Sequence, residues 1–268
     1  MNVELHTGAS ILVKNNFMKY LLFFYLLLNS VNTHAQINKA EYIKVVEEFK
    51  AFVATDNIGE LAKQVAYPFE REYPLPDIKT EAEFRRAYSY LFDTEIKNAI
   101  LKSNTKEDWS DVGWRGIMLH NGELWLDYDG TFLALHYQST YEKEERQKLI
   151  RKDRQRIHPS IQEYKKPVLL MQTQGFLIRI DQLENDDYRY ASWRENGNQS
   201  QKPDLIITKG VLNFQGSGGN HTYEFKNGNY IYVCDVIRMG DSDSPPALLL
   251  VYENKKRIMS RDAEWLED

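Results

Sequence analysis

The sequence has one cysteine, Cys234, in 268 residues. A single thiol can form no internal disulfide bond, so the fold must be held together by core packing. The hydrophobic fraction of 42% and the aromatic fraction of 13% supply that core. A domain of this size buries on the order of 70% of its unfolded surface. We therefore predict that Cys234 is a buried structural thiol.

The chain also lacks a basic surplus and a long apolar run. Its formal net charge of −5 argues against a nucleic-acid partner, which would require a positive surface. A helix that spans a membrane needs roughly 20 consecutive apolar residues, and no run approaches that length. We expect neither a nucleic-acid partner nor a stable membrane span once the N-terminal signal described below is removed.

The apolar run Leu21–Leu28 has the length of a signal-peptide core. A short basic start at Met18-Lys19-Tyr20 precedes it, and a small-residue site ending at Ala35 follows it. These features predict that residues 1–35 comprise an upstream extension plus a signal peptide, with cleavage after Ala35. The protein is then expected to be exported, either periplasmic or secreted.

Residues 36–139 are predicted to form an α+β domain in which helices pack on a curved antiparallel sheet. Apolar residues recur at helical spacing in Tyr42–Val53 and in Phe84–Ile96, which predicts two of the helices. The prolines of Tyr73-Pro-Leu-Pro76 predict extended backbone between them, because a residue before proline avoids the helical conformation.

The sheet is predicted from Asp108–Tyr137, where Asn121-Gly122 and Asp129-Gly130 are strong signals for two-residue hairpin turns. Such turns would pair Met118 with Trp125 and Trp125 with Ala134, and directly paired residues share a face. One face then carries Ile117, Leu119, Leu124, Leu126, Leu133 and Leu135, with Arg115 toward its end. The mixed face carries Trp114, Gly116, Met118, His120, Glu123, Trp125, Asp127, Phe132, Ala134 and His136.

The leucine face is predicted to be core, and the mixed face is the candidate ligand surface. Aromatic walls with one carboxylate are typical of small-molecule pockets. We predict that the ligand-binding residues are Trp114, Arg115, Trp125, Asp127 and Phe132. The alternative is that these aromatic residues form a second hydrophobic layer under other elements.

The register places Arg115 on the leucine face. If Arg115 is buried there, its guanidinium group needs an acidic partner. Glu70 or Glu72, in the extended segment, could supply one.

Two other chemistries are compatible with the mixed face. Asp127 and His136 would act as acid and base only if both reached one substrate, although two residue pairs separate them on the sheet. His120, Glu123 and His136 would lie side by side and could bind zinc; the alternative is a solvent-exposed cluster near a turn. We predict no cofactor.

Residues 140–166 are densely charged and predict a charged linker or a solvated helix. Residues 167–268 change to short alternating segments separated by turn residues, which predicts an all-β sandwich or barrel domain. The predicted strands are Phe176–Ile180, Tyr188–Trp193, Leu205–Ile207, Val211–Phe214, Tyr223–Phe225, Tyr230–Ile237 and Leu248–Tyr252.

The order of helix, helix, extended segment, helix and sheet resembles the nuclear-transport-factor-2-like (cystatin-like) cone. The motifs YPFEREYPLPDIKTEAEF and DVGWRGIMLHNGELWLDYDG are similar to an uncharacterised exported bacterial two-domain family, and the likeness extends through the second domain. The resemblance implies an α+β fold. It implies little about activity, because cone folds host isomerases, hydrolases, dehydratases and non-catalytic binding modules.

These features predict an exported, non-catalytic binding or interaction protein whose partner is a small molecule or an envelope protein. One alternative is a hydrolase or isomerase that uses the cone pocket, with Asp127 or His136 as the base. Another is an inhibitor of an envelope enzyme that acts through the β domain.

Overall fold

The computed structural model of the chain describes residues 39–194 and 197–266. Within these ranges it is an α+β protein with five helices, a four-stranded antiparallel sheet and a closed eight-stranded barrel. From Ile43 onward the chain packs as one compact unit. The predicted signal peptide lies outside the described residues. Over the described residues, no helix combines the length and the apolar character that crossing a membrane requires.

In the described residues, four helices precede the sheet: α1 (Lys39–Ala54), α2 (Ile58–Gln64), α3 (Glu81–Leu91) and α4 (Thr94–Lys102). The second predicted helix is two helices, because the Asp93 side chain accepts hydrogen bonds from the backbone N–H groups of Glu95 and Ile96 and thereby starts α4. Thr80 caps α3 in the same way, through the N–H of Glu83.

The sheet is a meander of four short strands: β1 (Trp109–Asp111), β2 (Ile117–Leu119), β3 (Leu124–Leu126) and β4 (Phe132–Leu135). The predicted pairs Met118–Trp125 and Trp125–Ala134 are both confirmed. The predicted leucine face is buried at Ile117, Leu119, Leu124, Leu126 and Leu135.

The prediction was wrong for Phe132 and Leu133, which exchange sides. A register shift between Trp125 and Leu126 pairs Leu126 with Phe132. One extra residue reverses the alternation of side chains beyond it. Phe132 is therefore fully buried in the core, whereas Leu133 is partly exposed. The rings that surround Phe132, with centroids 4.8–6.3 Å away, are Phe49, Phe69, Phe84 and Phe92.

Both predicted turns depend on glycine, but they are not two-residue loops of the expected type. Gly122 and Gly130 have φ values of 92° and 91°, whereas Asn121 and Asp129 do not adopt positive φ. At the second turn, Gly130 N donates to the Asp127 carbonyl oxygen at 3.1 Å. The longer turn lies next to the shifted register of β3 and β4.

The all-β domain is a barrel rather than a sandwich. Its strands are β5 (Lys166–Thr173), β6 (Phe176–Gln182), β7 (Tyr188–Arg194), β8 (Leu205–Phe214), β9 (His221–Asn227), β10 (Tyr230–Val236), β11 (Ala247–Glu253) and β12 (Lys256–Trp265). Each pairs antiparallel with the next, and β12 pairs with β5 to close the ring. Cys234 is fully buried among the interior apolar side chains, as predicted, and this burial raises the pKa of its thiol.

The segment predicted as a charged linker or helix forms α5 (Thr140–Arg156). It begins at a capping box in which Ser139 and Glu142 exchange side-chain-to-backbone hydrogen bonds. The chain from the end of α5 to β5 covers the outer face of the barrel. The buried residues of that contact are Ile150, Ile157, Ile161, Tyr164, Leu170, Leu177, Ala191 and Trp193.

Candidate functional site: a cleft at one end of the barrel

A cleft of about 560 Å³ lies between the extended segment 67–79 and one end of the barrel. The segment contributes polar and charged groups, including Glu70, Asp77 and Lys79. The barrel contributes a mainly apolar wall formed by Val168, Leu169, Leu170, Pro246, Trp265 and Leu266. A concave site with one apolar wall and a few polar groups is the usual form of a small-molecule pocket.

Two smaller recesses adjoin this cleft, and all three share Arg71 and Arg238 in their walls. One recess, of about 490 Å³, reaches strand β4 and includes Leu133 and His136. The other, of about 370 Å³, reaches the end of the barrel interior at Tyr223. The cleft is therefore a branched space centred on two arginines.

The sequence of segment 67–79 explains its shape. Tyr67-Pro68 and Tyr73-Pro74 are cis peptide bonds. Phe69 and Ile78 exchange backbone hydrogen bonds of 2.8 and 3.0 Å, which draws the segment into a loop. The Asp77 carboxylate accepts a hydrogen bond from Arg71 N at 2.8 Å across that loop.

Arg71 is held rigidly at the base of the cleft. Its guanidinium donates to both carboxylate oxygens of Glu142 on α5 at 2.8 Å. It also donates to the carbonyl oxygens of Leu135 and Tyr137. Both charged side chains are only 3% exposed. Arg71 thus joins the sheet to α5, and its donors are occupied by the protein itself.

Glu72 joins the same segment to α5 and to the barrel. It accepts from Lys166 Nζ and Gln138 Nε2 at 2.9 Å, and it lies 3.0 Å from Arg146 Nη2. Burial favours a higher pKa for Glu72, but the Lys166 hydrogen bond and the Arg146 charge outweigh it. The pKa of Glu72 therefore lies below its ordinary value.

Arg238 is held much less tightly. Its guanidinium stacks over the ring of Trp265 at 4.2 Å and donates to Glu70 at 2.5 Å. The side chains of Arg238 and Glu70 are 36% and 52% exposed, so their ion pair contributes about 1 kcal/mol or less. The backbone beneath is fixed, because the Asn220 side chain accepts from the N–H groups of Arg238 and Met239. A competing anion could therefore replace Glu70 at low cost.

His136 lines the second recess. Desolvation and the neighbouring Arg71 charge lower the pKa of His136, and the Glu70 carboxylate opposes them only in part. The imidazole is accordingly neutral at pH 7, where it can either donate or accept a hydrogen bond.

The predicted ligand residues are only partly brought together, and outside this cleft. Trp114 and Arg115 lie in a 3₁₀ helix (Gly113–Arg115), not in a strand, because Gly116 adopts φ 94° and turns the chain before β2. Trp114 is 62% exposed. Arg115 lies over the Trp125 ring at 5.8 Å and is exposed, so its predicted place on the leucine face was wrong.

The remaining predicted pairs do not converge. The Asp127 side chain accepts from Tyr128 N in the β3–β4 turn, and Asp127 does not line the recess that contains His136. His120 Nδ1 lies 3.1 Å from Glu123 Oε2. His136 contacts Glu123 through the backbone instead, because its N–H donates to the Glu123 carbonyl oxygen. Within residues 39–194 and 197–266, no group of three or more His, Cys, Asp or Glu side chains is placed to hold a metal ion.

Sequence reasoning missed Arg238, Trp265 and the role of Glu70. Glu70 and Arg238 lie 168 positions apart, and nothing in the local pattern distinguishes Arg238 from other surface arginines. Glu70 was, with Glu72, one of two candidate partners for Arg115, and it pairs with Arg238 instead. The one signal was the proline-rich segment 67–79 itself, which carries four of the charged residues that line the cleft.

Comparisons of the chain with protein-family models, with curated proteins and with solved structures find no match. The likeness to cone folds and to an exported two-domain family therefore rests on the motifs quoted above. The functional interpretation rests on the geometry of the cleft.

Proposed function

We propose that this protein is an exported binding protein that holds a small amphipathic monocarboxylate in the cleft beside Arg238. The observation that carries the proposal is an apolar wall next to a guanidinium that is held by an exposed ion pair and by stacking on Trp265. The signal-peptide pattern of residues 18–35 supports export. The order of elements before the barrel supports a cone-type first domain, a fold that often contains a pocket.

The apolar part of the ligand would lie against Leu169 and Trp265. Arg238 would hold its anionic group, because a guanidinium binds a carboxylate through two parallel hydrogen bonds. The Glu70 carboxylate already occupies that position, so it shows the chemistry that Arg238 accepts.

The charges around the cleft favour a ligand with a single negative charge. Three acidic side chains, Glu70, Asp77 and Glu264, line it together with three basic ones, Arg71, Lys79 and Arg238. The donors of Arg71 are already occupied by Glu142 and by backbone carbonyl oxygens. Like charges confined in a partly dry space repel one another, so a ligand with two or more anionic groups is disfavoured. This argument favours monocarboxylates over phosphates and dicarboxylates.

The proposal is tested by a thermal-shift screen of monocarboxylates, dicarboxylates, phosphorylated metabolites and cell-wall fragments, with titration calorimetry of each hit. A ligand that binds only the folded state raises the midpoint of unfolding. We expect the hits to be monocarboxylates with an apolar body. Arg238→Gln should weaken their binding at least tenfold.

The matched control is Arg257→Gln, which removes the same charge at the opposite end of the barrel and should bind as the wild type does. Absence of stabilising monocarboxylates, or equal affinity in Arg238→Gln, would contradict the proposal. Chemical conversion of a hit during incubation would instead favour the hydrolase or isomerase alternative. Capture of an envelope enzyme without any small-molecule hit would favour the inhibitor alternative.

A further inference from the structure

We propose that the opposite mouth of the barrel is a second, separate binding site for a small, uncharged and mainly apolar molecule with one hydrogen-bonding group. The site goes beyond the proposed cleft function and depends on different residues. It is a cavity of about 300 Å³, at the lower end of the range for small-molecule pockets.

The topology places this cavity far from Arg238. The cleft lies where β5 begins and β12 ends, near Leu169 and Trp265. The second cavity lies where β6 and β8 begin, near Phe176 and Leu205, which is the other end of the antiparallel ring. Eight strands give a barrel just wide enough to fill with side chains or to hold one small ligand.

The walls of the cavity are largely apolar. They include the inward-facing side chains of Phe176, Tyr190, Leu205, Leu249, Val251 and Met259. Apolar surface continues outward at the lip, where Tyr230 and Ile258 are both exposed. A partly open apolar recess with an apolar lip leaves unfavourable contact with water that a ligand would remove.

Two buried hydroxyl groups supply the polar feature of the site. Ser192 faces inward, is nearly fully buried and lies beside Tyr190 on the same face of β7. Burial raises the pKa of Tyr190, so its hydroxyl remains a donor at physiological pH. Two neighbouring hydroxyl groups can offer one donor and one acceptor to a ligand.

The charges of the site lie at its edge. Of the described residues that line the cavity, the charged ones are Arg194 and Asp204, and both are exposed at strand ends. Arg194 N donates to the Asp204 carboxylate at 2.8 Å. A charged ligand inside the barrel would thus lose its hydration without gaining a buried counter-charge. An uncharged ligand does not incur this cost.

The test is a fluorescence titration with N-phenyl-1-naphthylamine, an uncharged aromatic amine. We expect the wild-type protein to bind about one equivalent saturably. Leu205→Trp fills the cavity and should weaken binding at least tenfold. Ile206→Trp is the matched control, because the neighbouring residue on β8 is exposed on the outer face, and it should bind as the wild type does.

Circular dichroism establishes that each variant is folded. If Leu205→Trp fails to fold, Met259→Trp fills the same cavity from β12 and carries the same expectation. Lack of saturable binding by folded wild-type protein would overturn the proposal, as would unchanged binding by the cavity-filling variant. Because this probe is uncharged and its binding should not change in Arg238→Gln, failure here is distinguishable from failure of the cleft proposal.

Discussion

At the residue scale, Arg71 shows how a charged group becomes part of the interior. It donates four hydrogen bonds, two of them to the equally buried Glu142. Such a pair contributes little net stability when intact, but the removal of one partner leaves a charge buried without compensation. The stability lost on substitution of one partner therefore depends on whether the other charged side chain stays buried without a counter-charge.

We predict that Arg71→Met destabilises the protein by about 3–5 kcal/mol, because it leaves the Glu142 carboxylate buried and unpaired. Urea unfolding monitored by circular dichroism measures the change. The control is Lys63→Met, which breaks the exposed Lys63–Glu60 ion pair and should cost less than about 1 kcal/mol. Equal effects of the two substitutions would mean that Arg71 is not buried as described.

The second prediction at this scale concerns Phe132, which the sequence pattern placed beside Trp114 on one face. Phe132→Ala should cost about 3–5 kcal/mol, because it leaves a cavity among the surrounding aromatic rings. Trp114→Ala should change stability by less than about 0.5 kcal/mol, because the side chain is exposed. Urea unfolding measures the stability of both variants. A smaller loss of stability for Phe132→Ala than for Trp114→Ala would support the register predicted from the sequence, in which Phe132 lies on the mixed face.

At the scale of elements, α5 contacts both the helix-and-sheet region and the barrel through buried charged side chains. Its buried side chains Glu142, Arg146, Ile150 and Asp153 lie on one face at spacings of four, four and three residues. The last of them forms two hydrogen bonds with Arg179 of the barrel, at 2.6 and 2.9 Å. Asp181 and Arg189 extend this buried charge network. A helix that packs through charges has almost no apolar periodicity, so the sequence indicated a solvated segment.

The ion pairs that link α5 to its neighbours predict a pH dependence. Because the pKa of Glu72 is lower in the folded state, the unfolded state takes up its proton at a higher pH. The stabilisation that ionised Glu72 contributes is complete above the ordinary glutamate pKa. It is lost as the pH falls through the lower pKa that Glu72 has in the folded state. Glu72→Gln should remove this part of the acid sensitivity.

The measurement is urea unfolding of wild type and Glu72→Gln between about pH 3 and pH 6, a range that brackets the ordinary glutamate pKa. The stability difference between them should shrink as the pH falls. Glu145→Gln serves as the control, because Glu145 pairs at the surface with its helix neighbour Lys148. A difference that stays constant across the range would contradict the assignment.

The strands show why only part of the fold could be predicted. Alternating apolar residues identified β6, β7, β9, β10 and β11. The pattern missed β12 (Lys256–Trp265), where charged residues outnumber the few inward-facing apolar ones, and β5, where Pro167 disrupts the pairing. It divided β8 at Lys209-Gly210, although Gly210 lies in a continuous strand beneath the Phe225 ring. The sequence of a strand does not contain the identity of the elements that pack against each of its two faces.

The candidate site shows the same limit. The hairpin signals located Trp125 and Leu124 on opposite faces correctly, because that depends on local alternation. The extra residue that moves Phe132 into the core depends on tertiary packing. The meeting of Glu70 with Arg238 depends on how the barrel end faces segment 67–79. Local periodicity contains no information about either.

At the scale of the molecule, the helix-and-sheet region and the barrel share α5 between them. Glu142 near its start is buried with Arg71, and Asp153 near its end is buried with Arg179. We therefore predict that both regions unfold in one cooperative transition. Scanning calorimetry should show a single peak whose calorimetric and van't Hoff enthalpies agree. Two resolved peaks would show that α5 does not couple the regions.

The seam between β12 and β5 has a consequence for how the protein is made. In the described residues the two strands meet through three residue pairs, and Leu266 N donates to the Leu170 carbonyl oxygen just beyond them. The strands stand at opposite ends of a stretch of about one hundred residues. During synthesis, one edge of β5 stays unpaired until β12 has been synthesised. Pairing between strands so far apart in sequence is also slow. Throughout that interval the nascent sheet exposes an edge that could pair with another chain, which gives a chaperone a specific period in which to protect it.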